Sequence, residues 1–380
     1  MFYITVRQSP MYHQMTLEEF LFNYDSSPRI INPNFTNTRT YEVEKVSDRF
    51  LSKINISRMI GKLEEFNNVY GVSLREKDRH SLYREFHIPK KSGGLRKIDA
   101  PEPELMDALR RLKTIFEVDC GALYHTSAFA YVRNRSTLDA VKRHQANESR
   151  WFGKYDLSNF FGSTTLEFTM KMLSMVFPFS EIIKNETGKV ELEKALELAF
   201  LDGGLPQGTP ISPTITNIIM IPIDFKLSNG LKEYNHQRFV YTRYADDFLI
   251  SSKYTFSFRE IEKYIVDTLA EFDAPFTIKP EKTRYGSSSG SNWNLGVMLN
   301  KDNVITVGYK KKRQFQAMIS SYVKDKMNGK QWDKNDIQVM EGYRNYYRMV
   351  EKDTIDSMVN HLSSKFNVDI VSLIKADLKA

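Results

Sequence analysis

Two adjacent aspartates, Asp246 and Asp247, are the residues of this sequence whose position most clearly suggests chemistry. They lie in the segment Arg238–Ser252, RFVYTRYADDFLISS, with β-branched and aromatic residues on both sides. This pattern predicts a β-hairpin that carries both carboxylates at its tip. Because neighbouring carboxylates repel each other, a cation is their natural partner. Magnesium prefers carboxylate oxygens together with substrate phosphates, so the tip is a candidate site for phosphoryl or nucleotidyl transfer.

Two upstream segments could contribute to the same site. Asp156 stands alone near the end of a predicted strand in Lys154–Phe161, KYDLSNFF; alternatively it is the N-cap of a helix predicted over Thr164–Met175. The segment Gly203–Pro213, GGLPQGTPISP, is too rich in glycine and proline for a helix interior, and the apolar residues 215–223 follow it. Each segment alone has a structural explanation: a solvated turn, a helix cap, or a loop entering a buried helix.

Taken together and in this order, the three segments resemble the palm of reverse transcriptases. In that family a strand-borne Asp, a Gln-Gly-x-x-x-Ser-Pro loop and a Tyr-x-Asp-Asp hairpin follow one another, and this chain has Asp156, Gln207–Pro213 and Tyr244–Asp247. The similarity extends over about residues 80–350. It includes two fingers-like motifs, a later palm motif and a primer-grip-like turn: His87–Pro101, Ala128–Ser136, Phe276–Thr283 and Asn294–Gly296.

The resemblance implies a catalytic centre with two Mg²⁺ ions. Asp156 and Asp246 would bridge both ions, Asp247 would complete the acidic cluster, and the carbonyl of Leu157 would add an oxygen ligand. Nucleotide addition needs a primer 3′-hydroxyl in line with an α-phosphate while pyrophosphate leaves. Two metal ions about 3.5–4 Å apart stabilise both the attacking and the leaving oxygen.

The resemblance also implies five nucleotide-binding side chains: Lys91, Arg96, Phe161, Gln207 and Lys282. Lys91 and Arg96 would neutralise the triphosphate, with arginine able to form a bidentate fork. Gln207 would contact the nucleotide near its sugar, and Gly208 would let the backbone approach it. Lys282 would protonate or neutralise the pyrophosphate. Phe161 would stack under the sugar and exclude a 2′-hydroxyl, while the neighbouring Phe160 is expected in the core. A surface ion pair for Arg96 and plain solvation of Lys91 and Lys282 remain alternatives.

The elements that must position these residues indicate an α+β chain with the right-hand polymerase fold: fingers, a palm whose antiparallel sheet packs on helices, and a helical thumb. We expect an N-terminal helical extension over residues 1–80, fingers over 81–150, a palm with finger insertions over 151–302 and a thumb over 303–380. Residues 54–66 read as helical, and an apolar stripe along Glu102–Phe116 predicts a further helix. The segment Gly286–Ser291 is expected to be a flexible loop.

The predicted thumb begins with a dense basic run, Lys310, Lys311, Lys312 and Arg313, which is expected either to bind nucleic-acid phosphates or to form a solvated face. The 380 residues carry a net charge of +7, which favours a polyanionic partner.

The single Cys120 excludes an intrachain disulfide framework and is expected to be buried. Neither a signal-peptide pattern nor a membrane-spanning apolar run is present, so a cytoplasmic protein is expected.

Subfamily signatures narrow the prediction further. Retron enzymes carry Asn-Ala-x-x-His and Val-Thr-Gly signatures, whereas this chain has Asp139–His144, DAVKRH, and Asn294–Gly296 at those places. The chain is expected to end near the end of a thumb, without maturase, endonuclease or RNase H regions.

These features favour a solitary bacterial reverse transcriptase of phage defence, which would make cDNA from dNTPs on a structured noncoding RNA template and hold a DNA primer or product. The alternatives are a retron-type enzyme with a diverged signature, a template-independent or protein-primed DNA polymerase, and a catalytically silent RNA-binding scaffold. The presence of all three aspartates argues against the last.

Overall fold

The computed structural model describes residues 3–6, 13–16, 55–90, 93–121, 123–234, 238–288, 293–294 and 296–379. These residues form α-helices together with antiparallel sheets, as the α+β prediction requires. None of the described helices combines the length and the apolar character needed to cross a membrane.

The strands form four small antiparallel sheets. In chain order they are β1 (Tyr3–Val6), β2 (His13–Thr16), β3 (Tyr83–Pro89), β4 (Leu95–Pro101), β5 (Trp151–Asp156), β6 (Phe239–Tyr244), β7 (Asp247–Ser252), β8 (Arg284–Ser287), β9 (Trp293–Asn294), β10 (Val297–Leu299) and β11 (Ile305–Thr306). β1 pairs with β2 and β3 with β4, the order β11-β10-β9 forms a third sheet, and the order β6-β7-β5-β8 forms the fourth.

The α-helices account for most of the remaining described residues. They are α1 (Ile56–Phe66), α2 (Val72–Arg75), α3 (Pro103–Thr114), α4 (Thr137–Ala146), α5 (Phe160–Ser163), α6 (Leu166–Leu173), α7 (Phe179–Lys184), α8 (Glu186–Glu197), α9 (Ser212–Ile219), α10 (Ile221–Glu233), α11 (Phe258–Glu271), α12 (Tyr309–Met327), α13 (Lys334–Phe366) and α14 (Ile370–Lys379).

The four-stranded sheet carries the predicted hairpin. β6 and β7 pair antiparallel with Tyr244 opposite Asp247, so Ala245 and Asp246 form a two-residue turn. Ala245 has φ +56°, in the left-handed region that tight hairpin turns require. Phe248 and Ile250 are fully buried, and Leu249 on the other face is nearly so. Strands this apolar must be covered on both faces, which explains why the sheet lies inside the molecule.

One large hydrophobic core joins the helices before β5 to the sheet and to the helices behind it. The four apolar residues of the predicted stripe, Leu105, Leu109, Leu112 and Phe116, are all fully buried in it. The first three lie on α3 and the fourth in the wider turn Ile115–Asp119 that continues it. Cys120 is buried in the same core, as predicted, and burial raises the pKa of its thiol to about 12.

Residues from 307 onward have a second core of their own, built from α12, α13 and α14. A smaller third cluster joins α4, β5, β7, β10 and β11, and Tyr346 and Val350 of α13 pack on it. α13 has one non-helical residue, Glu351. Its carboxylate accepts hydrogen bonds from the amide of Val307 and the hydroxyl of Thr306, which ties the break in α13 to β11.

Some expectations differ from the structure in detail. Gly286 and Ser287 belong to β8 and pair with Phe152 and Trp151, so they are not a flexible loop. Residues 289–292 lie outside the described residues, and so does Lys91.

Of the predicted helical extension, α1 and α2 are helical, but the described residues near the N-terminus form the β1–β2 hairpin. The helix expected over Thr164–Met175 is α6, and its N-cap is Thr165, whose hydroxyl accepts from the Phe168 amide; Asp156 instead ends β5.

Candidate active site

The three aspartates lie on adjoining strand ends of the four-stranded sheet. Asp156, the last residue of β5, is the cross-strand partner of Asp247, the first residue of β7. Asp246 occupies the turn before Asp247, and its carbonyl accepts a hydrogen bond of 3.0 Å from the amide of Leu157. Long-range pairing between two strands therefore brings Asp156 together with carboxylates that stand 90 and 91 residues later in the sequence.

Three lysines accompany these carboxylates, and sequence reasoning had assigned a role to only one of them. Lys154 Nζ lies 2.9 Å from Asp247 Oδ2. Lys279 and Lys282 Nζ lie 3.2 and 3.0 Å from the Asp156 carboxylate. In the described structure, ammonium groups are thus the positive charges beside the aspartates. The sequence signal for Lys154 was its placement two residues before Asp156, on the same face of β5.

The electrostatics of the cluster favour added positive charge. Burial raises the pKa of Asp246, and repulsion by Asp156 raises it further. Burial also raises the pKa of Asp247 to about 6, against the opposing effect of Lys154. Burial alone would lower the pKa of Lys282, but its hydrogen bond to Asp156 and the charges of the aspartates raise it. The anionic forms of Asp246 and Asp247 are therefore costly until a cation compensates them.

The carboxylate oxygens of the three aspartates fit a divalent cation, although those of Asp156 and Asp247 form ion pairs with lysines. Among the described residues, no three acidic, histidine or cysteine side chains converge as a ready group of metal ligands. Asp247 Oδ1, however, is buried and has no hydrogen-bond partner. A buried carboxylate oxygen without a partner is costly, and oxygen is the ligand that magnesium prefers. Leu157, whose carbonyl was predicted as a ligand, directly follows β5 and is bridged to Ile278.

The Gln207 loop packs against the β3–β4 hairpin. The carbonyl of Gln207 accepts a hydrogen bond of 2.8 Å from the Asp99 amide on β4. Gly208 has φ +121°, and a Cβ there would lie 2.9 Å from the Asp99 carbonyl. The structure thus gives this glycine a reason that the sequence analysis did not offer: it lets the loop approach β4. The Ser212 hydroxyl, which donates to the Pro206 carbonyl at 3.0 Å, braces the loop from within.

Phe161 and Phe160 differ in burial as predicted. Phe160 is 2 % exposed, and its ring centroid lies 5.0 Å from that of Phe276 in the core. Phe161 is only partly buried, and its carbonyl accepts from the amide of Leu205 at 3.0 Å. The loop before Gln207 therefore pairs with the short helix that carries Phe161.

Two residues of the fingers-like motifs, Arg96 and Tyr131, differ in their surroundings. Arg96 is exposed on β4, opposite Ile88. Tyr131, which sequence reasoning did not single out, lies within electrostatic reach of Asp246, Tyr244 and Arg96: partial burial and the first two raise its pKa, and Arg96 lowers it. Its backbone has φ +60°, an uncommon conformation for an aromatic residue. Its place inside the motif Ala128–Ser136 was the available sequence signal.

The basic run occupies the first turn of α12 and divides into two pairs. Lys310 and Arg313 are exposed, and the Arg313 guanidinium lies 5.7 Å from the ring centroid of Tyr309. Lys311 Nζ donates to the Gly296 carbonyl at 2.7 Å, and Lys312 Nζ lies 2.8 Å from Glu351 Oε1. Only the first pair presents its charge mainly to solvent.

Comparison with known proteins identifies the family. The model described as "Reverse transcriptase (RNA-dependent DNA polymerase)" matches residues 88–316, more than half of the chain. This chain belongs to the reverse transcriptase family.

The reverse transcriptase is 27% identical over 252 residues to the retron Ec73 reverse transcriptase of Escherichia coli, covering 64% of this chain and 73% of that protein. It is 26% identical over 299 residues to the Escherichia coli retron Ec83 reverse transcriptase, covering 77% and 89%. A solved telomerase from Candida albicans, in complex with a TWJ fragment of telomeric RNA, is 12% identical with a TM-score of 0.45, over 83% of this chain and 62% of that chain.

Family membership confirms the predicted activity at the level of the family. The reverse transcriptase is an RNA-directed DNA polymerase of the right-hand fold, a family that uses RNA templates, dNTPs and divalent metal ions. The retron relatives confirm the expected relation to retron enzymes, despite the departures at Asp139–His144 and Asn294–Gly296. They also support the retron-type alternative that the sequence analysis kept open.

Proposed function

We propose that this reverse transcriptase makes cDNA from a cognate structured noncoding RNA and that the product serves antiphage defence. The observation that carries the catalytic part is the pairing of Asp156 with Asp247 across β5 and β7, with Asp246 in the adjoining turn. The net charge of +7 and the exposed cations at the start of α12 support an RNA partner. The retron names of two relatives favour a dedicated RNA over indiscriminate copying.

In this proposal Asp156 and Asp246 hold two Mg²⁺ ions, with Asp247 and the Leu157 carbonyl as further ligands. When bound, the two ions stabilise the attacking and the leaving oxygens of nucleotide addition. Lys154 holds the Asp247 carboxylate in place through its 2.9 Å ion pair. Lys282, whose Nζ lies 3.0 Å from Asp156 Oδ2, would neutralise or protonate the leaving pyrophosphate.

The remaining residues select and orient the nucleotide. Arg96 and Lys91 neutralise the triphosphate, Gln207 contacts the nucleotide near its sugar, and Phe161 excludes a 2′-hydroxyl. The hydrogen bond between the Asp99 amide and the Gln207 carbonyl supports these assignments, because it links the loop that carries Gln207 to β4, the strand that carries Arg96. We assign the fingers to residues 81–150, the palm to 151–302 and the thumb to 303–380. Since β11 pairs with β10, the last boundary falls within a small sheet that joins the two regions.

The test of the catalytic assignment is Asp246→Asn. The change removes one charge with little change in shape, so we expect primer extension to fall by several orders of magnitude while primer–template affinity stays nearly intact. Asp302→Asn, the same change in an exposed turn, serves as the control and should leave the rate unchanged. Near-normal extension by the Asp246→Asn enzyme would refute the metal-bridging role.

Template dependence needs its own measurement. We expect the sequence of the product to follow the bound RNA, with extension stopping when that RNA is digested beforehand. A product whose sequence is independent of the RNA would favour template-independent or protein-primed synthesis instead.

A further inference from the structure

A fully buried ion pair lies directly behind the catalytic hairpin. Arg243 of β6 faces Asp224 of α10, and neither side chain has any exposed surface. The guanidinium binds both carboxylate oxygens, with Nε 2.8 Å from Oδ1 and Nη2 2.8 Å from Oδ2. Tyr241 adds a hydrogen bond of 2.7 Å from its hydroxyl to Asp224 Oδ1. This is the bidentate geometry in which arginine orients a partner most strictly.

The third nitrogen of the guanidinium reaches the turn that carries the catalytic aspartate. Arg243 Nη1 donates to the carbonyl of Ala245 at 3.3 Å and to Asn217 Oδ1 at 3.1 Å. That carbonyl belongs to the peptide unit joining Ala245 to Asp246. Because Ala245 has φ +56°, a conformation that most residues avoid, the turn benefits from an external contact that holds this peptide in one orientation.

The same arginine also holds the fingers-like segment that contains Tyr131. The Arg243 amide donates to the Ser127 carbonyl at 2.6 Å, and the Phe129 amide donates to the Arg243 carbonyl at 2.9 Å. Asn217 Nδ2 donates to the Ala130 carbonyl at 2.8 Å. One side chain and its backbone therefore connect the aspartate turn on one side with the Tyr131 segment on the other.

Stability alone is a weak explanation for this arrangement. Burying two charges costs a large desolvation free energy, and well-packed apolar residues of similar volume often stabilise a core at least as well as a buried ion pair. A buried charge is more informative when it fixes a geometry that apolar packing leaves loose. Here the geometry that is fixed is the peptide preceding Asp246.

We propose that Arg243, oriented by Asp224 and Asn217, is a positioning residue for nucleotide addition. It holds the peptide before Asp246 in the orientation in which the Asp246 carboxylate binds the metal ions. This inference rests on the proposed metal-bridging role of Asp246. It predicts that Arg243 affects metal binding and the chemical step, without itself touching substrate. The affinity for primer–template depends on surfaces elsewhere and is expected to stay unchanged.

The test compares Arg243→Lys with Tyr241→Phe. Lysine keeps the charge but has a single nitrogen, which cannot bind Asp224 bidentately and reach Ala245 as well. Tyr241→Phe perturbs the same buried carboxylate without touching the turn, so it is the matched control for a purely structural effect. For Arg243→Lys we expect kcat to fall at least tenfold with KM for dNTP within about threefold, since interactions realised only in the transition state change kcat.

Metal binding supplies a readout that does not depend on activity. Mn²⁺ binding to the protein–primer–template complex, measured by electron paramagnetic resonance, should weaken severalfold in Arg243→Lys and stay unchanged in Tyr241→Phe. If Arg243→Lys does not fold, Asn217→Ala carries the test, because it keeps the ion pair and removes the side chain that shares Nη1 with the turn, together with that side chain's hydrogen bond to the Ala130 carbonyl. It should show the same changes at smaller size.

The outcomes separate this inference from the proposed function. If Asp246→Asn is inactive and Arg243→Lys has normal kcat and Mn²⁺ affinity, the positioning role is wrong and the metal assignment stands. Equal effects of Arg243→Lys and Tyr241→Phe would mean that the Arg243–Asp224 ion pair contributes only to the stability of the core. If Asp246→Asn stays active, the metal assignment fails, and the positioning role fails with it.

Discussion

At the scale of single residues, Phe161 is the side chain with the most specific expected effect on substrate choice. Replacing it with valine removes the bulk that would exclude a 2′-hydroxyl, so incorporation of ribonucleotides relative to deoxynucleotides should rise about tenfold or more. The measurement is competitive primer extension with matched dNTP and rNTP pairs.

Phe160 offers the comparison for that experiment. It is buried against Phe276, so Phe160→Leu should lower the melting temperature and leave sugar discrimination as it was. If Phe161→Val leaves discrimination unchanged, Phe161 is a packing residue and the gate lies elsewhere.

His144 is a residue whose role only the structure explains. Its ring nitrogens lie 2.5 Å from Ser251 Oγ and 2.8 Å from Thr242 Oγ1, so it connects α4 to both strands of the β6–β7 hairpin. Burial, with a smaller effect of Arg143, lowers its pKa to about 3. The last residue of the segment DAVKRH is therefore a neutral, buried link. Asp139, the first residue of that segment, forms a capping box with Ser136.

This low pKa predicts a pH dependence of stability. Below about pH 6.5 the unfolded chain protonates this histidine while the folded chain does not, so the free energy of unfolding falls as the pH drops towards 3. The loss is about 1.4 kcal/mol per pH unit for one proton. His144→Gln should remove that part of the slope in urea titrations between pH 6 and 4. His361→Gln, at an exposed position of α13, should keep it; an unchanged slope in His144→Gln would contradict the assignment.

At the scale of elements, the beginning of α12 carries both exposed and paired cations. Lys310 and Arg313 are exposed, and positive charges at a helix N-terminus oppose the helix dipole. Replacing both with glutamine should therefore leave the thumb at least as stable. If they contact phosphates, the double variant should weaken primer–template binding and reduce its salt slope by up to ~0.9 per lost contact.

Lys312→Gln is the matched variant for that comparison. Lys312 is paired with Glu351, which is only 11 % exposed, so losing the pair should cost about 1–2 kcal/mol of thumb stability with little effect on the salt slope. If the double variant binds with unchanged salt sensitivity, the exposed cations form a solvated face.

At the scale of the whole molecule, the described residues form two main hydrophobic cores. Among the described residues, the core of α12–α14 is separate from the large core around the four-stranded sheet, and Tyr346 and Val350 of α13 pack against both the α12–α14 core and the small third cluster. Lys312, Glu351 and Thr306 add a polar contact at the same junction. An RNA that bridges both bodies would have to fit this junction, which favours recognition by shape and backbone contacts.

The template prediction belongs to this scale. Protein purified from its native locus should carry one dominant small noncoding RNA and make cDNA from a defined part of it, and the pair should protect cells against phage only when Asp246 is intact. Sequencing of the copurified RNA and DNA, with plaque assays of the wild type and Asp246→Ala, checks this. A copurified pool without an enriched species, or protection that persists in the variant, would count against it.

The sequence by itself predicted the candidate catalytic residues and determined the local structure around them. The β-branched and aromatic residues on both sides of Asp246 and Asp247 predicted the hairpin, because strand propensity is a local property of the chain. The stripe of Leu105, Leu109 and Leu112 predicted α3 for the same reason. The order of three short motifs then identified the family, and that family matches residues 88–316.

Only the tertiary structure decided what surrounds those residues. The pairing of β5 with β7 sets Lys154 beside Asp247, and the packing of α10 behind β6 buries Asp224 against Arg243. Gly208 is required because of β4, more than 100 residues earlier in the chain. Periodicity records which face of an element is buried and leaves open which partner covers it, because that choice depends on long-range pairing and on the desolvation of charges at contacts formed only in the folded chain.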